Sequence, residues 1–505
     1  MGLVVALWTA LALAALCAQA ERTYSEDLML RPLPGLGKVA AHFSFLHEVD
    51  GDTAPSAQHF DVFPKHMRQV LHKFNVDEFE LTFANGLWRH EQWGDAWDAA
   101  PFGALLSADV ASRDDFHGLA QALAGIFSAS LNKMDGAAVH THGARLFESN
   151  LPREELCTEN LSPWLKLLPC RSHAGLGAFV HPLHVLDSDY VSMRLRVSRQ
   201  ASKLSLHQTL TFVKRVDDGW SLASALGATE ASMCLLATES SITTELASEK
   251  PMYVTTPPVA VERYRNIYKH VVPLAGLTSV QEPWLATTPP PAPKSFWHAA
   301  SVHRYLTGFG QVRGGVAMRL VNKDPKAPLH IAYNETIPSF MRVYFSSLRL
   351  AINGQRLDAN TSFVVLTPAK TRGELAHLRV VLTLPPQSRL ELAYAFEKSF
   401  LPIESHPPDA SRGFDAPAAS VHVTRGRQAT VLYTEPLLVQ LPVPDFSMPY
   451  NVICLTSTVV SMAMGSFVNT LLRHERKRSN LGKLVHGLKR LVQRLLRRRT
   501  KEKTD

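Results

Sequence analysis

Histidines beside acids and aspartates in pairs are where a hydrolase or metalloenzyme would first reveal itself, and this chain has short candidates of both kinds. His47-Glu48 and His90-Glu91 begin like a zinc-binding helix. Neither has the second histidine four residues after the first that would complete the ligand set. Asp187-Ser188-Asp189 has the acid–x–acid spacing that holds a metal in some carbohydrate-transferring enzymes, but two aspartates around a serine also make a turn, and a turn is the reading adopted. Gly308-Phe309-Gly310 lacks the third glycine of a dinucleotide fingerprint, and the chain has neither a Gly-x-Ser-x-Gly elbow nor a phosphate loop. His140 and His142 sit in a Gly/Ala-rich stretch read as a loop, at no recognisable ligand spacing. No catalytic residue, cofactor site or metal site is assigned.

Cysteine chemistry is more informative. Of five cysteines, Cys17 lies in an apolar leader and Cys454 in an apolar segment near the C-terminus. Cys157, Cys170 and Cys234 remain, and in an oxidising compartment an odd number leaves one thiol free or bonded to another chain. Parity does not choose which. Cys157 and Cys170 could equally close a short loop around Trp164, leaving Cys234 alone. Glycosylation sequons occur at Asn160, Asn334 and Asn360. Pro163 directly after the first makes it a poor acceptor, so Asn334 and Asn360 are the expected glycan sites, on the surface.

The elements around these residues read as mainly β with some α (an α+β chain). Lys38–Val49 and Glu78–Phe83 alternate like strands, Phe63–Val76 has helical spacing, and Asp114–Lys133 carries a helical stripe of Leu119, Leu123, Ile126, Phe127 and Leu131. Residues 21–281 are read as a mixed α/β domain. The five prolines between Glu282 and Lys294 make 282–299 a linker, because proline can continue neither a helix nor a central strand. Beyond it, Val316–Leu320, Leu329–Tyr333, Arg342–Ile352, Phe363–Leu366, Leu378–Leu384 and Arg389–Phe396 are short runs rich in β-branched and aromatic residues. Asn353-Gly354 and Pro385-Pro386 supply turns between them. This spacing predicts an antiparallel β-sandwich over 300–448.

The ends of the chain place it at a membrane. Residues 1–20 read as a signal peptide ending in Ala18-Gln19-Ala20. Tyr450 to Leu472 contains no charge, and a helix of 23 residues reaches ~35 Å, enough to cross a ~30 Å hydrocarbon core. The segment 449–472 is therefore the expected span. Residues 473–505 form a tail with thirteen Lys/Arg and three acids, net +10; the whole chain is +8, so the remainder is −2. The basic character belongs to the tail and gives no reason to expect nucleic acid. A basic flank puts the tail in the cytosol and the bulk of the chain across the membrane, as in a type I protein. In the tail, Leu481, Leu484, Val485, Leu488, Leu491, Val492, Leu495 and Leu496 fall at helical spacing with basic residues between, the pattern of an amphipathic helix. Lys501 and Lys503 match a dilysine retrieval address of the early secretory pathway, so the endoplasmic reticulum is expected. Within the span, Ser457, Ser461, Gly465 and Asn469 recur every four residues on one helix face, a surface suited to packing against other membrane helices.

Several blocks resemble one family. Cys157-Thr-Glu-Asn-Leu-Ser-Pro-Trp164-Leu-Lys-Leu-Leu-Pro-Cys170 is similar to a block of the PIG-T family, a subunit of the glycosylphosphatidylinositol (GPI) transamidase. Phe63-Pro-Lys65, Gly86-Leu-Trp88-Arg89 with Trp93-Gly94, and Arg304-Tyr305-Leu-Thr-Gly308-Phe-Gly310 resemble its earlier and central blocks. Leu432-Tyr-Thr-Glu-Pro-Leu-Leu438, continuing through Pro444 to Cys454, resembles its approach to the membrane. The blocks run in order from about residue 60 to 470, and similarity between them is thin.

The resemblance implies a non-catalytic type I subunit of the endoplasmic reticulum. Its complex cleaves a C-terminal signal from precursor proteins and attaches a GPI lipid. The nucleophilic cysteine belongs to a caspase-like partner, PIG-K, to which this family is joined by a disulfide; the matching residue here is Cys157. Cys170 and Cys234 would then pair within the chain. The further partners implied are PIG-S, PIG-U and the Gaa subunit, with the GPI lipid and the precursor signal peptide close to the membrane. The alternative from the residues alone is a type I cell-surface receptor or adhesion protein with a β-sandwich ectodomain, which would account for the leader, sequons and span but not for the dilysine pattern or the polar helix face.

Overall fold

A computed structural model describes residues 22–501, apart from 51–61, 135–138, 143–144, 201–202, 217–224, 228–229, 247–259, 265–266, 275–278, 282–298, 309, 358–362, 370–374, 403–405, 407–409 and 444–446. The leader, the proline-rich linker, Asn360 and Lys503 lie outside the described residues. The chain forms two compact units, Met1–Pro442 and Val443–Asp505.

The first unit holds two large cores. The first is built on an eleven-stranded sheet. Its strands are β1 (Arg22–Leu33), β2 (Lys38–Asp50), β3 (Val76–Asn85), β4 (Gly103–Val110), β5 (Val139–His142), β6 (Leu146–Leu151), β7 (Tyr190–Gln200) and β8 (Lys203–Arg215). After the short β9 (Glu230–Ser232) come β10 (Glu239–Leu246), β11 (Ala260–Tyr264) and β12 (Ile267–Pro273). The spatial order is β11-β12-β10-β1-β2-β8-β7-β3-β4-β6-β5. Among the described residues, β1 and β10 alone pair in parallel; β9 pairs outside this sheet with β13 (Ser279–Gln281). Period-two alternation sorts the side chains. Phe43 and Phe45, Phe79 and Phe83, and Met193 and Leu195 point to a face covered by helices α1 (Lys65–Lys73), α2 (Arg113–Phe127) and α3 (Thr158–Lys166), and all join one buried cluster. The opposite face carries Glu80, Arg196 and Ser107 in cross-strand register, with a separate aromatic cluster of Trp88, Trp93 and Tyr190.

The second core is a β-sandwich, as the alternation predicts. One sheet has the order β14-β15-β21-β17-β18 and the other β19-β20-β16-β23-β24, all antiparallel. Here β14 is Ala300–Thr307, β15 Arg313–Asn322, β16 Leu329–Ile337, β17 Met341–Ile352, β18 Gln355–Arg356, β19 Phe363–Thr367, β20 Ala376–Leu384 and β21 Arg389–Lys398. A two-stranded pair, β22 (Phe414–Ala416) with β25 (Leu437–Val439), brackets β23 (Ser420–Arg425) and β24 (Gln428–Tyr433). Tyr333, Leu320, Leu392 and Val421 meet in the interior.

Two local readings are corrected. The helix expected over Asp114–Lys133 ends at Phe127, where Ser128 turns left-handed at φ 52°; Leu131 reaches the core from a short 3-10 turn, Ser130–Lys133. His140 and His142, expected in a loop, lie on edge strand β5 paired with β6. In both places pairing or capping decides what local composition does not.

The sandwich is tied through its middle by a buried ion pair. Arg304 Nη1 donates to Glu335 Oε1 at 2.8 Å, linking β14 of one sheet to β16 of the other. Arg304 Nη2 donates to the carbonyls of Pro417 and Glu435. Tyr333 and Tyr394 each donate a hydroxyl to Glu335 at 2.8 Å, and burial followed by the Glu335 charge keeps both phenols protonated. Removing one charge strands the other. Arg304→Met should therefore cost about 3–5 kcal/mol, and adding Glu335→Gln, which removes the stranded charge and keeps an acceptor for the two tyrosines, should recover part of it, measured by thermal or denaturant unfolding. Equal loss in the single and double variants would contradict this role.

Acid sensitivity follows from two buried histidines. Burial, aided by the charges of His207, Arg194 and Arg31, pulls His42 down to about 3, and burial pulls His47 to about 4, against 6.5 for an exposed ring. Between those values the unfolded chain binds more protons than the folded one. Stability is thus full above pH 6.5 and falls as pH drops towards the folded values, by at most about 1.4 kcal/mol per pH unit for each ring. The melting temperature should decline from pH 7 to 5, and less steeply in His42→Gln.

Candidate partner-docking site at Cys157

The site is assembled at the start of α3. Cys157 occupies the N-cap position in extended backbone (φ −134°, ψ 178°), and its side chain is exposed. Two asparagines fix the chain on either side of it. Asn85, the last residue of β3, donates from Nδ2 to the Leu156 carbonyl at 2.9 Å and accepts the Leu156 N–H on Oδ1 at 2.8 Å. Asn160, three residues into the cap, accepts on Oδ1 both the Cys157 N–H at 2.9 Å and the Cys157 thiol at 3.0 Å. Its Nδ2 donates to the Phe127 carbonyl at 2.8 Å, one of the orphan acceptors at the end of α2. Asn160 thus ties the start of one helix to the end of another, and it is 1% exposed.

The rest of α3 anchors this cap in the core. Trp164 is fully buried, donates its indole N–H to the Arg194 carbonyl at 3.0 Å and meets Phe45 edge-on at 6.0 Å. Its own carbonyl accepts from Gln208 Nε2 at 2.9 Å. Pro163 removes one helical N–H, and Ser162 Oγ caps the Thr158 carbonyl at 2.7 Å. Beyond the helix, Cys170 and Cys234 are joined by a disulfide, so the structure does not close the short Cys157–Cys170 loop. Gly175 sits against that bridge at φ +69°; a Cβ there would lie 2.5 Å from Glu26 Oε2 and 2.9 Å from the Cys234 Cβ. Only glycine fits both the space and the backbone. Of the described cysteines, Cys157 and Cys454 carry free thiols.

The other sequence candidates fall elsewhere. Asp187 and Asp189 do not converge on one point: Asp187 pairs with Lys214 at 3.2 Å and Asp189 with Lys38 at 3.1 Å. Asn334 lies in mid-strand on β16, paired with Arg379 and Ser420. It lines a polar cleft of about 810 Å³ whose other wall includes Glu80, Glu148 and Arg196. Ser457, Ser461, Gly465 and Asn469 are exposed on the long helix of the second unit, and Lys501 is its last residue. That helix, α4, runs unbroken over Ser447–Lys501 and contains the candidate span Tyr450–Leu472, with mean hydropathy 1.6 and none of it buried.

Asn85 and Asn160 are the residues that spacing alone did not reveal. Asn160 was legible only as a sequon, and its partners are set by tertiary contact. Its Nδ2, the atom a glycan would modify, is already committed to Phe127. Asn160→Ala should destabilise the fold by about 1–3 kcal/mol by leaving buried groups without partners, and should leave the number of attached glycans unchanged. Unfolding and intact-mass measurements check both parts; loss of one glycan would overturn the second.

Comparison with known proteins places this geometry in context. The family model described as Gpi16 subunit, GPI transamidase component, matches residues 8–218 and 214–496. The chain is 31% identical to the GPI-anchor transamidase component PIGT of Mus musculus, over 94% of this chain and 94% of the relative. It is 31% identical to the Homo sapiens PIGT component, over 89% and 90%, and 28% identical to the GPI transamidase component GPI16 of Saccharomyces cerevisiae, over 89% and 88%. Matches over nearly the whole length remove the cell-surface receptor reading. The chain belongs to the Gpi16 family of GPI transamidase components.

Proposed function

We propose that this chain is a non-catalytic subunit that holds the caspase-like catalytic subunit of the transamidase at the luminal face of the endoplasmic reticulum membrane, through a disulfide from Cys157. One observation carries the reading: Cys157 presents an exposed free thiol on backbone fixed by Asn85 and Asn160, while Cys170 and Cys234 are bonded to each other. A thiol on a mobile loop would form a covalent link without fixing orientation. A thiol at a helix cap, seated by Trp164 in the core, transmits the position of the whole sheet to its partner. The bond also makes reassociation intramolecular, so the subunits stay together at any dilution.

Residues 21–281 and 300–448 would serve as two luminal domains, with 282–299 linking them and the span at 449–472. The partners in this reading are PIG-K through Cys157, and the Gaa subunit, PIG-S and PIG-U around the span. Thr456, Thr458 and Thr470 return their hydroxyls to carbonyls of their own helix. Bonding across a helix contact then falls to Ser457, Ser461 and Asn469, with Gly465 allowing close approach. The GPI lipid and the precursor signal would meet the catalytic subunit beside this face. Lys501 and Lys503 would supply retrieval to the endoplasmic reticulum, and Asn334 and Asn360 the glycans.

The test is a non-reducing gel of the detergent-solubilised protein beside Cys157→Ser, with mass spectrometry of any shifted band. A reducible adduct containing a caspase-like chain is expected in the wild type only, with the luminal fold of the variant unchanged by circular dichroism. An adduct that persists in Cys157→Ser, or a protein that runs alone under both conditions, would sink the proposal.

A further inference from the structure

The proposed scaffold role leaves the end of α4 unused. Leu481, Leu484, Val485, Leu488, Leu491, Val492 and Leu495 are each between 48% and 66% exposed. At about 100° per residue they fall within one arc of about 120°. Lys483, Lys489, Arg490 and Arg494 lie outside that arc. From Leu481 to Arg499 there are seven basic residues and no acid. An apolar stripe bordered by cations of one sign matches a surface that offers apolar depth beneath negative charge, which is what an anionic lipid leaflet presents. The same helix contains the candidate span, so a leaflet is already within reach: Leu481 follows Leu472 by nine residues, ~14 Å of helix.

Geometry adds a requirement. As one straight rod, α4 would carry Leu495 ~35 Å beyond Leu472, well off the membrane surface. The span and the stripe can both be immersed only if the helix turns between them. The intervening sequence suits a turn. Ser479 and Asn480 are strong N-cap residues, and Gly482 directly after Leu481 weakens helix propagation. We propose that residues 481–496 dock as an amphipathic helix on the anionic leaflet adjoining the span, and that α4 breaks at Ser479–Gly482 to allow it. Docking exchanges a few helical hydrogen bonds for burial of the whole stripe. It also restrains rotation and tilt of the span, and so fixes which of its faces meets a neighbouring helix.

The experiment uses the full-length protein in lipid nanodiscs, with a nitroxide at Leu488→Cys on the stripe or at Arg490→Cys opposite it. Both are made with Cys157→Ser and Cys454→Ser so that the label is unique. Accessibility to oxygen relative to a water-soluble nickel chelate reports immersion. With phosphatidylserine in the discs, the ratio at position 488 should exceed that at 490 severalfold. The difference should collapse in phosphatidylcholine alone, at high salt, and in Leu484→Glu/Leu491→Glu. Equal ratios at the two positions, or immersion indifferent to lipid charge, would overturn the proposal. So would shielding of position 488 that appears only on adding an acidic helix-binding protein such as calcium-loaded calmodulin, because the occupant would then be a protein groove.

Discussion

Everything in the first half of this protein depends on the alternation of side chains across one eleven-stranded sheet. A strand places successive residues on opposite faces, so each strand that crosses the sheet must supply an apolar set and a polar set in fixed phase. One face is lined by Phe43, Phe45, Phe79, Phe83, Met193 and Leu195, and must be covered. The helices that cover it are therefore held by the core itself, and α3 carries Cys157 at its start. A register slip of one residue in β2 would turn Phe43 and Phe45 away from Trp164 and unseat the helix. The thiol's position is in this sense a property of the sheet.

Buried polar groups refine what apolar packing leaves loose. Arg31 donates to Glu245 at 2.6 Å and to the carbonyls of Trp93 and Asp95 at 2.7 Å, with Trp97 4.1 Å below its guanidinium. This locks the segment after β3 onto β1 and β10. Arg304 does the same between the two sheets of the sandwich. Such pairs add little net stability over apolar replacements, but losing one partner leaves the other charge buried. Several sequence blocks that mark the family are these ties. Arg304 meets Glu435, the glutamate of the Leu432–Leu438 block, through its backbone N–H at 2.8 Å. Trp88 and Trp93 of the early block stack edge to face at 5.3 Å. Arg304, Glu435, Trp88 and Trp93 are thus residues of these blocks that fix the fold.

Much of this was legible from local pattern. The strands from Val316 to Phe396 were readable because alternation is a local signal, and β15, β16, β17, β20 and β21 lie where it put them. The candidate span is readable because 23 uncharged residues meet a length requirement that needs no tertiary information. Less was legible where partners are distant. The stripe over Asp114–Lys133 predicts too long a helix because Leu131 keeps helical spacing while leaving the helix. His140 and His142 looked like loop residues because an edge strand of four residues is too short to alternate visibly.

Local pattern alone is enough for the class of the chain: mainly β, with one candidate span among the described residues, a basic tail, and blocks that resemble one family. Those properties are sums over local composition and periodicity. The roles of individual side chains emerge from contacts made in three dimensions. Asn160 reads as a sequon but acts as a buried clamp, because its partner, the Phe127 carbonyl, lies 33 residues away. Asn85 carries no signal until β3 is brought against Leu156, 71 residues on. The Cys170–Cys234 bridge spans 64 residues, and parity could not choose it. Hydrogen bonds and disulfides are made between atoms a few ångströms apart in space, and nothing in one linear sequence fixes that distance until the sheet has set its register.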